Sequence, residues 1–284
     1  RRMTDDYVLG GSPEAAAHAV RELGARHDLT LTLHDVPQRT DGDAFLRRVE
    51  CYRAVLAAAA GWAVSSHHER TLVERWCHPR TPGHVVPLPV VPMRGDAAPV
   101  APAAPSSVGV FGFVYPGKGH RPAVVAGARA AETLRARGED VGTVAVRAIG
   151  APSRGHENDV TRLREDAAEL GVAFEVTGFL GDDAFVRELA APGIPLAAHE
   201  HVSASRSMLD WVEAGRRPLV VDSRYAAEMD ELRPGTLTRY AADDLAERLV
   251  DAWLDPASTR LGPHASLAPT LDDVAASYLA WWAA

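Results

Sequence analysis

From Val108 onward the chain alternates short, nearly continuous apolar runs with longer amphipathic stretches, and this alternation limits the possible folds more than any other property. It predicts strand Val108–Phe111, helix 122–137, strand Val141–Ile149, helix Asn158–Leu170, strand Ala173–Thr177 and helix Asp182–Ala190. Strand Ile194–Ala198, helix Ser207–Ala214, strand Pro218–Val221 and a helix around Ala242–Leu254 follow. Strands apolar on both faces, joined by helices, imply an α/β fold with a parallel sheet covered on both sides. Ligands of such sheets bind at the carboxyl ends of the strands.

The chain before this region is organised more loosely. Ser12-Pro13 starts an amphipathic helix to about Arg26, with serine as N-cap and proline at the first helical position. Leu29–His34 alternates leucine and threonine into a strand, 43–60 is helical, Trp62–Ser66 is a short strand and Glu69–Cys77 another helix. From Val85 to Ser107 prolines dominate (Pro87, Pro89, Pro92, Pro99, Pro102, Pro105), which reads as a stiff extended linker. At 284 residues, two α/β units are expected.

Composition narrows the partners. A formal charge of −8 argues against a nucleic-acid partner. Cys51 and Cys77 form no disulfide framework, so a reducing cytoplasm is expected. No apolar run approaches the about 20 residues needed to cross a bilayer. No signal peptide is visible either, so membrane contact is expected to be at most peripheral, at the inner face. The alanine, arginine and glycine bias is that of a GC-rich bacterial genome.

Polar clusters fall at the predicted strand ends. After strand Val108–Phe111 comes Gly112-Phe113-Val114-Tyr115-Pro116-Gly117-Lys118-Gly119-His120, then a helix. Such a loop lets backbone N–H groups and a lysine approach a phosphate, although a plain turn with a solvated lysine has the same residues. Ser203, Ser205, Arg206 and Ser207 precede or open a helix, where hydroxyls serve either an anion or simple capping. Asp210 and Glu213, three apart on that helix, can accept hydrogen bonds from a ribose diol or be ordinary helix acids. His34 and Asp35 end the first strand, as ligands of a sugar or as structural residues. His67, His68, Glu69, Cys77, His78 and His84 match no metal template, and no metal is expected.

Together these residues resemble the family-four retaining glycosyltransferases, which have the GT-B fold of two Rossmann-like domains. The match covers about half the chain closely, from Val108 to Pro256. Its first loop, with Gly112, Phe113, Lys118 and Gly119, stands where family members begin with glycine-arginine and end with lysine-glycine. Phe174-Glu175-Val176-Thr177-Gly178-Phe179-Leu180 corresponds to the segment whose backbone meets the nucleobase. Asp210-Trp211-Val212-Glu213-Ala214-Gly215 with Pro218-Leu219-Val220-Val221 matches the closing acidic signature. The N-terminal portion matches more loosely, through Thr32–Asp35, Ser65-Ser66 and Val86–Val90.

The departures are as specific as the matches. Phe113 replaces the family's arginine, and the paired glutamates are reduced to Asp210, with Val202 at the first position. The extra arginine before Pro218 shifts the register and leaves Glu213 as a second ribose candidate, while His199, Glu200 or His201 are candidates to replace the missing first carboxylate. The N-terminal portion is short for a complete Rossmann half, reduced or truncated, with Gly10-Gly11 as a stand-in glycine loop or a turn.

The resemblance implies this organisation: residues 1–94 a partial acceptor domain, 95–107 the linker, 108–263 the nucleotide-sugar domain, and 264–284 a helix crossing back to the first domain. It implies hexose transfer from a nucleoside-diphosphate sugar with retention, without metal or cofactor. Its acceptor is left open as a sugar, a lipid-linked or a small molecule. Lys118 would bear on the diphosphate with Gly112, Gly117, Gly119 and the turn at Ser203, Ser205, Arg206 and Ser207. Gly178, Phe179 and Leu180 would face the base, Asp210 or Glu213 the ribose, and His34 and Asp35 the reacting sugar and acceptor. Two other readings stay open: an impaired GT-B protein acting as a scaffold for another transferase, and a nucleotide-sugar epimerase or hydrolase.

Overall fold

The strand Ser107–Phe111 (β4) lies at the centre of a six-stranded, fully parallel sheet. We describe it from a computed structural model, which covers residues 12–93, 107–191, 193–199 and 204–283. The other strands are Ala145–Ile149 (β5), Ala173–Val176 (β6), Ile194–Ala197 (β7), Leu219–Val221 (β8) and Thr238–Tyr240 (β9). Their order is β6-β5-β4-β7-β8-β9, so the chain builds outward from β4 on one side and then restarts on the other. The crevice between the carboxyl ends of β4 and β7 is therefore the topological switch point, where ligands of open parallel sheets bind.

Burial explains why these runs are strands. Val108, Val110, Val146, Ala148, Ile194 and Leu196 are all essentially inaccessible, as expected for strands covered on both faces. The helix after β4, His120–Ala136 (α4), turns Ala123, Ala130, Ala131 and Leu134 toward the sheet. Small residues let it lie close: a Cβ at Gly127 would meet Val144 Cγ1 at 3.4 Å. Leu245–Leu254 (α9) packs against α4 and adds Leu245, Leu249 and Val250 to the same core.

Residues 1–89 with 271–284 form a second compact unit, and 90–270 contain the sheet above. The smaller unit has a three-stranded parallel sheet in the order Thr30–Thr32 (β1), Gly61–Val64 (β2), Gly83–Val85 (β3). Pro13–Gly24 (α1) begins where Ser12 Oγ accepts from Ala15 N, and Phe45–Ala57 (α2) and His67–Cys77 (α3) follow. Leu33, Val36, Leu56, Trp62, Val64, Val73 and Cys77 make its core. The last helix, Leu271–Ala283 (α10), packs Val274, Tyr278 and Trp281 against Ala63 and Val86. Tyr278 OH meets Thr32 Oγ1 at 2.9 Å, and Trp282 Nε1 donates to Thr30 Oγ1 at 3.2 Å.

Several boundaries differ from the sequence reading. Pairing in β1 stops at Thr32, so His34 and Asp35 lie in the bend beyond it rather than in the strand. β3 occupies the start of the proline-rich stretch, since Val85 and Val86 reach the sheet before Pro87 removes a donor. Residues from Val90 belong to the larger unit: Val91 N and Met93 N both bond to Glu213. Arg224–Leu232 (α8) and β9 are additional elements of the larger sheet. Gly10, Gly11, most of the linker, Glu200, His201, Val202 and Ser203 lie outside the described residues.

Candidate active site

The loop between β4 and α4 is shaped around one lysine. Gly112, Gly117 and Gly119 all have positive φ, at 120°, 85° and 101°. A Cβ on Gly112 would come within 2.8 Å of Lys118 Cε and 2.9 Å of its Nζ, so the lysine side chain runs directly over the glycine, whose φ of 120° itself favours glycine. A Cβ on Gly119 would meet Ala198 O at 2.5 Å, which lets the loop pack directly on the end of β7. Lys118 is consequently buried, 5% exposed, at the switch point.

Its ammonium has polar company. Nζ donates to Ser207 Oγ at 3.1 Å and contacts His199 Nε2, which is itself 3.2 Å from Ser207 Oγ. Ser207 lies in the first turn of Arg206–Glu213 (α7), which Ser205 caps by accepting from Met208 N at 3.2 Å. Ser205 N in turn donates to Tyr225 OH at 3.1 Å. A lysine and the positive end of a helix thus converge on one place, an arrangement that binds anions. His199 and His120 are both held neutral, with pKa pushed down to about 3 by burial first and by the Lys118 charge second.

The acidic candidates face Arg206. Asp210 Oδ1 accepts from Arg206 Nε at 3.0 Å, and Glu213 Oε2 accepts from Arg206 Nη2. Both carboxylates are buried, whereas Arg206 is exposed. Glu213 is further committed, since Oε1 accepts from Val91 N at 2.7 Å. Gly178, at φ 72°, follows β6; Phe179 is 93% exposed and Leu180 packs beside Ile149, Leu189 and Trp211. Phe113 stands on the loop, 40% exposed.

His34 and Asp35 belong to the smaller unit. Tyr52 OH donates to His34 O at 2.7 Å, and Arg48 donates to Asp35 O and, at 3.1 Å, to Asp35 Oδ2. These bonds fasten a bend in which Asp35 takes φ 52°, a rare conformation for a non-glycine residue. His34 is exposed, and the partial desolvation it does experience lowers its pKa.

Lys118, Ser205, Arg206, Ser207 and Asp210, all candidates in the sequence, come together in one region of the fold. Tyr225 and Gly150 are additional to them, and His199 stands in the sequence only as a replacement for the missing carboxylate. Gly150 is required because a Cβ there would strike Gly112 O at 2.3 Å. No motif marks that approach, since it is made between neighbouring strands. Among the described residues no cluster of histidine, cysteine and acidic side chains is placed to hold a metal ion, and no helix is long and apolar enough to cross a membrane.

No protein-family model matches the sequence, and no curated protein sequence matches it. Solved structures do. HepE of Anabaena, in complex with UDP and glucose, aligns with TM-score 0.72 at 16% identity over 96% of this chain and 75% of HepE. The fold is GT-B. Other GT-B neighbours include sucrose-phosphate synthase of Thermosynechococcus elongatus, with TM-score 0.68 and 14% identity over 95% of this chain and 71% of that one. A UDP-forming α,α-trehalose-phosphate synthase of Burkholderia xenovorans aligns at 0.62 and 15%, over 94% and 69%.

Proposed function

We propose that the chain is a glycosyltransferase that binds a nucleoside-diphosphate sugar at the carboxyl ends of β4 and β7 and transfers the sugar to an acceptor. The observation that carries this reading is the buried Lys118 at the switch point, facing the capped N-terminus of α7. A diphosphate placed there meets one full positive charge and the positive end of the α7 dipole. These groups stabilise the charge that grows on the leaving diphosphate as the glycosidic C–O bond breaks. That stabilisation supports transfer without metal or cofactor, tested by unchanged activity in EDTA.

Finer assignments follow from the same reading. Asp210 is the proposed ribose ligand in preference to Glu213, whose carboxylate already holds Val91 and Arg206. Gly178–Leu180 would border the base. His34 and Asp35 would serve the reacting sugar and the acceptor, in a cytoplasmic family-four enzyme that retains anomeric configuration. HepE is known in complex with UDP-glucose, which makes that the first donor to test.

Calorimetry against UDP, GDP and their hexose conjugates tests the proposal. Binding of one nucleotide, weakened ~100-fold in Lys118→Ala, is expected from loss of a charge-assisted contact of a few kcal/mol. Absence of binding to all of them rejects it. One observation favours a second reading, an impaired transferase that binds donor without turnover: Phe113 supplies no cation, and Arg206 is engaged by Asp210 and Glu213. Tight UDP binding with neither transfer nor hydrolysis would select that reading.

A further inference from the structure

His199 follows β7 directly across the switch point from the Gly112–Gly119 loop, and its Nε2 faces both Lys118 Nζ and Ser207 Oγ. With the 3.1 Å bond from Lys118 to Ser207, the three groups close a triangle. An ammonium only donates, so the ring nitrogen that meets it carries a lone pair and the ring proton sits on Nδ1.

We propose that His199 is a positioning residue of the diphosphate site, whose unprotonated Nε2 holds the Lys118 ammonium at the switch point without neutralising it. The inference rests on the donor-site reading above. A carboxylate in the same place would also hold the lysine, but its negative charge would cancel the attraction for an incoming anion. A hydroxyl such as Ser207 is a weaker and more mobile acceptor. A neutral imidazole combines a directed lone pair with no net charge. The titratable groups facing His199 are Lys118 from the loop and His120 from the start of α4, and with burial they keep the ring neutral well below physiological pH.

The experiment is calorimetric titration of the full chain with UDP and with GDP at pH 8, where both are fully ionised. His199→Phe, which keeps bulk but removes the acceptor, should weaken nucleotide binding about tenfold or more. His199→Gln, whose amide oxygen reaches as far, should stay within about threefold of wild type. His199→Asn, too short to reach Lys118, should behave like His199→Phe and replaces it if the phenylalanine variant does not fold. Wild-type affinity in His199→Phe or His199→Asn overturns the inference, as does a His199→Gln variant as weak as they are. Wild-type protein that binds neither nucleotide, or Lys118→Ala that binds like wild type, rejects the donor site itself and the inference with it.

Discussion

Arg216 is one of the two arginines between Gly215 and Pro218, and its place in the fold gives it a structural role. It is 2% exposed and donates to the carbonyls of Leu189, Ala191, Gly193 and Thr259 and to Thr259 Oγ1. Burial lowers its pKa to about 10, still charged at neutral pH. Arg216→Met would leave several buried carbonyls without donors, so urea unfolding should show a loss of about 3 kcal/mol or more. His120 and His199 make a prediction of opposite visibility, in pH. Each has a folded pKa of about 3 against 6.5 for the free group, so the unfolded chain binds more protons between those values. Stability from these groups is complete above pH 6.5 and falls as pH drops toward 3, by up to ~1.4 kcal/mol per pH unit for each histidine. His120→Leu should flatten the acid limb of a pH–stability curve; an unchanged slope would contradict it. Of these residues, the sequence marks only Lys118 and its glycines plainly, because glycine at positive φ and a lone lysine form a local pattern. His199 and Tyr225 act through partners far along the chain, so nothing near them in sequence announces their role.

Helix α7 concentrates the site, and its first turn depends on one hydroxyl. Ser205 caps it and is anchored through Tyr225, so Ser205→Ala should cost about 1 kcal/mol of stability. The same change should weaken UDP binding, because the turn loses the hydroxyl that accepts from Met208 N and lies 3.3 Å from Ser207 Oγ, although the backbone bond to Tyr225 stays. Elements from β4 to β8 were legible because their strands are mainly buried apolar runs bounded by glycine or proline, with Arg147 in β5 and the exposed Glu175 in edge strand β6 as interruptions. α8 and β9 were not, since α8 is only nine residues long with Glu228, Asp230 and Glu231 interleaved among its apolar residues, and β9 is a three-residue strand at the sheet edge. β3 was missed for the same reason: three residues, one of them Gly83, over which Trp62 lies so closely that a Cβ would come within 2.2 Å of its ring. Periodicity needs length, and these elements are defined by pairing instead.

The whole molecule is two α/β units linked twice, at Pro89–Val90 and at Thr270–Leu271. The alternation after Val108 foretold the larger unit, and in the smaller one α1, β1, α2, β2 and α3 were legible from capping and periodicity while β3 was not. Its sheet is completed by α10, whose aromatic residues cover Ala63 and Val86 and bond to Thr30 and Thr32. Removing residues 271–283 should therefore lower the melting temperature of the smaller unit, monitored by tryptophan fluorescence of Trp62, because that sheet face loses its cover. The proposed donor site belongs to the larger unit, and one observation tests it most directly. That observation is a crystal structure with UDP-glucose bound. The diphosphate should lie within about 3 Å of Lys118 Nζ and of the first-turn N–H groups of α7, with the ribose at Asp210. A nucleotide bound away from the carboxyl ends of β4 and β7, leaving Lys118 facing only His199 and Ser207, would contradict it.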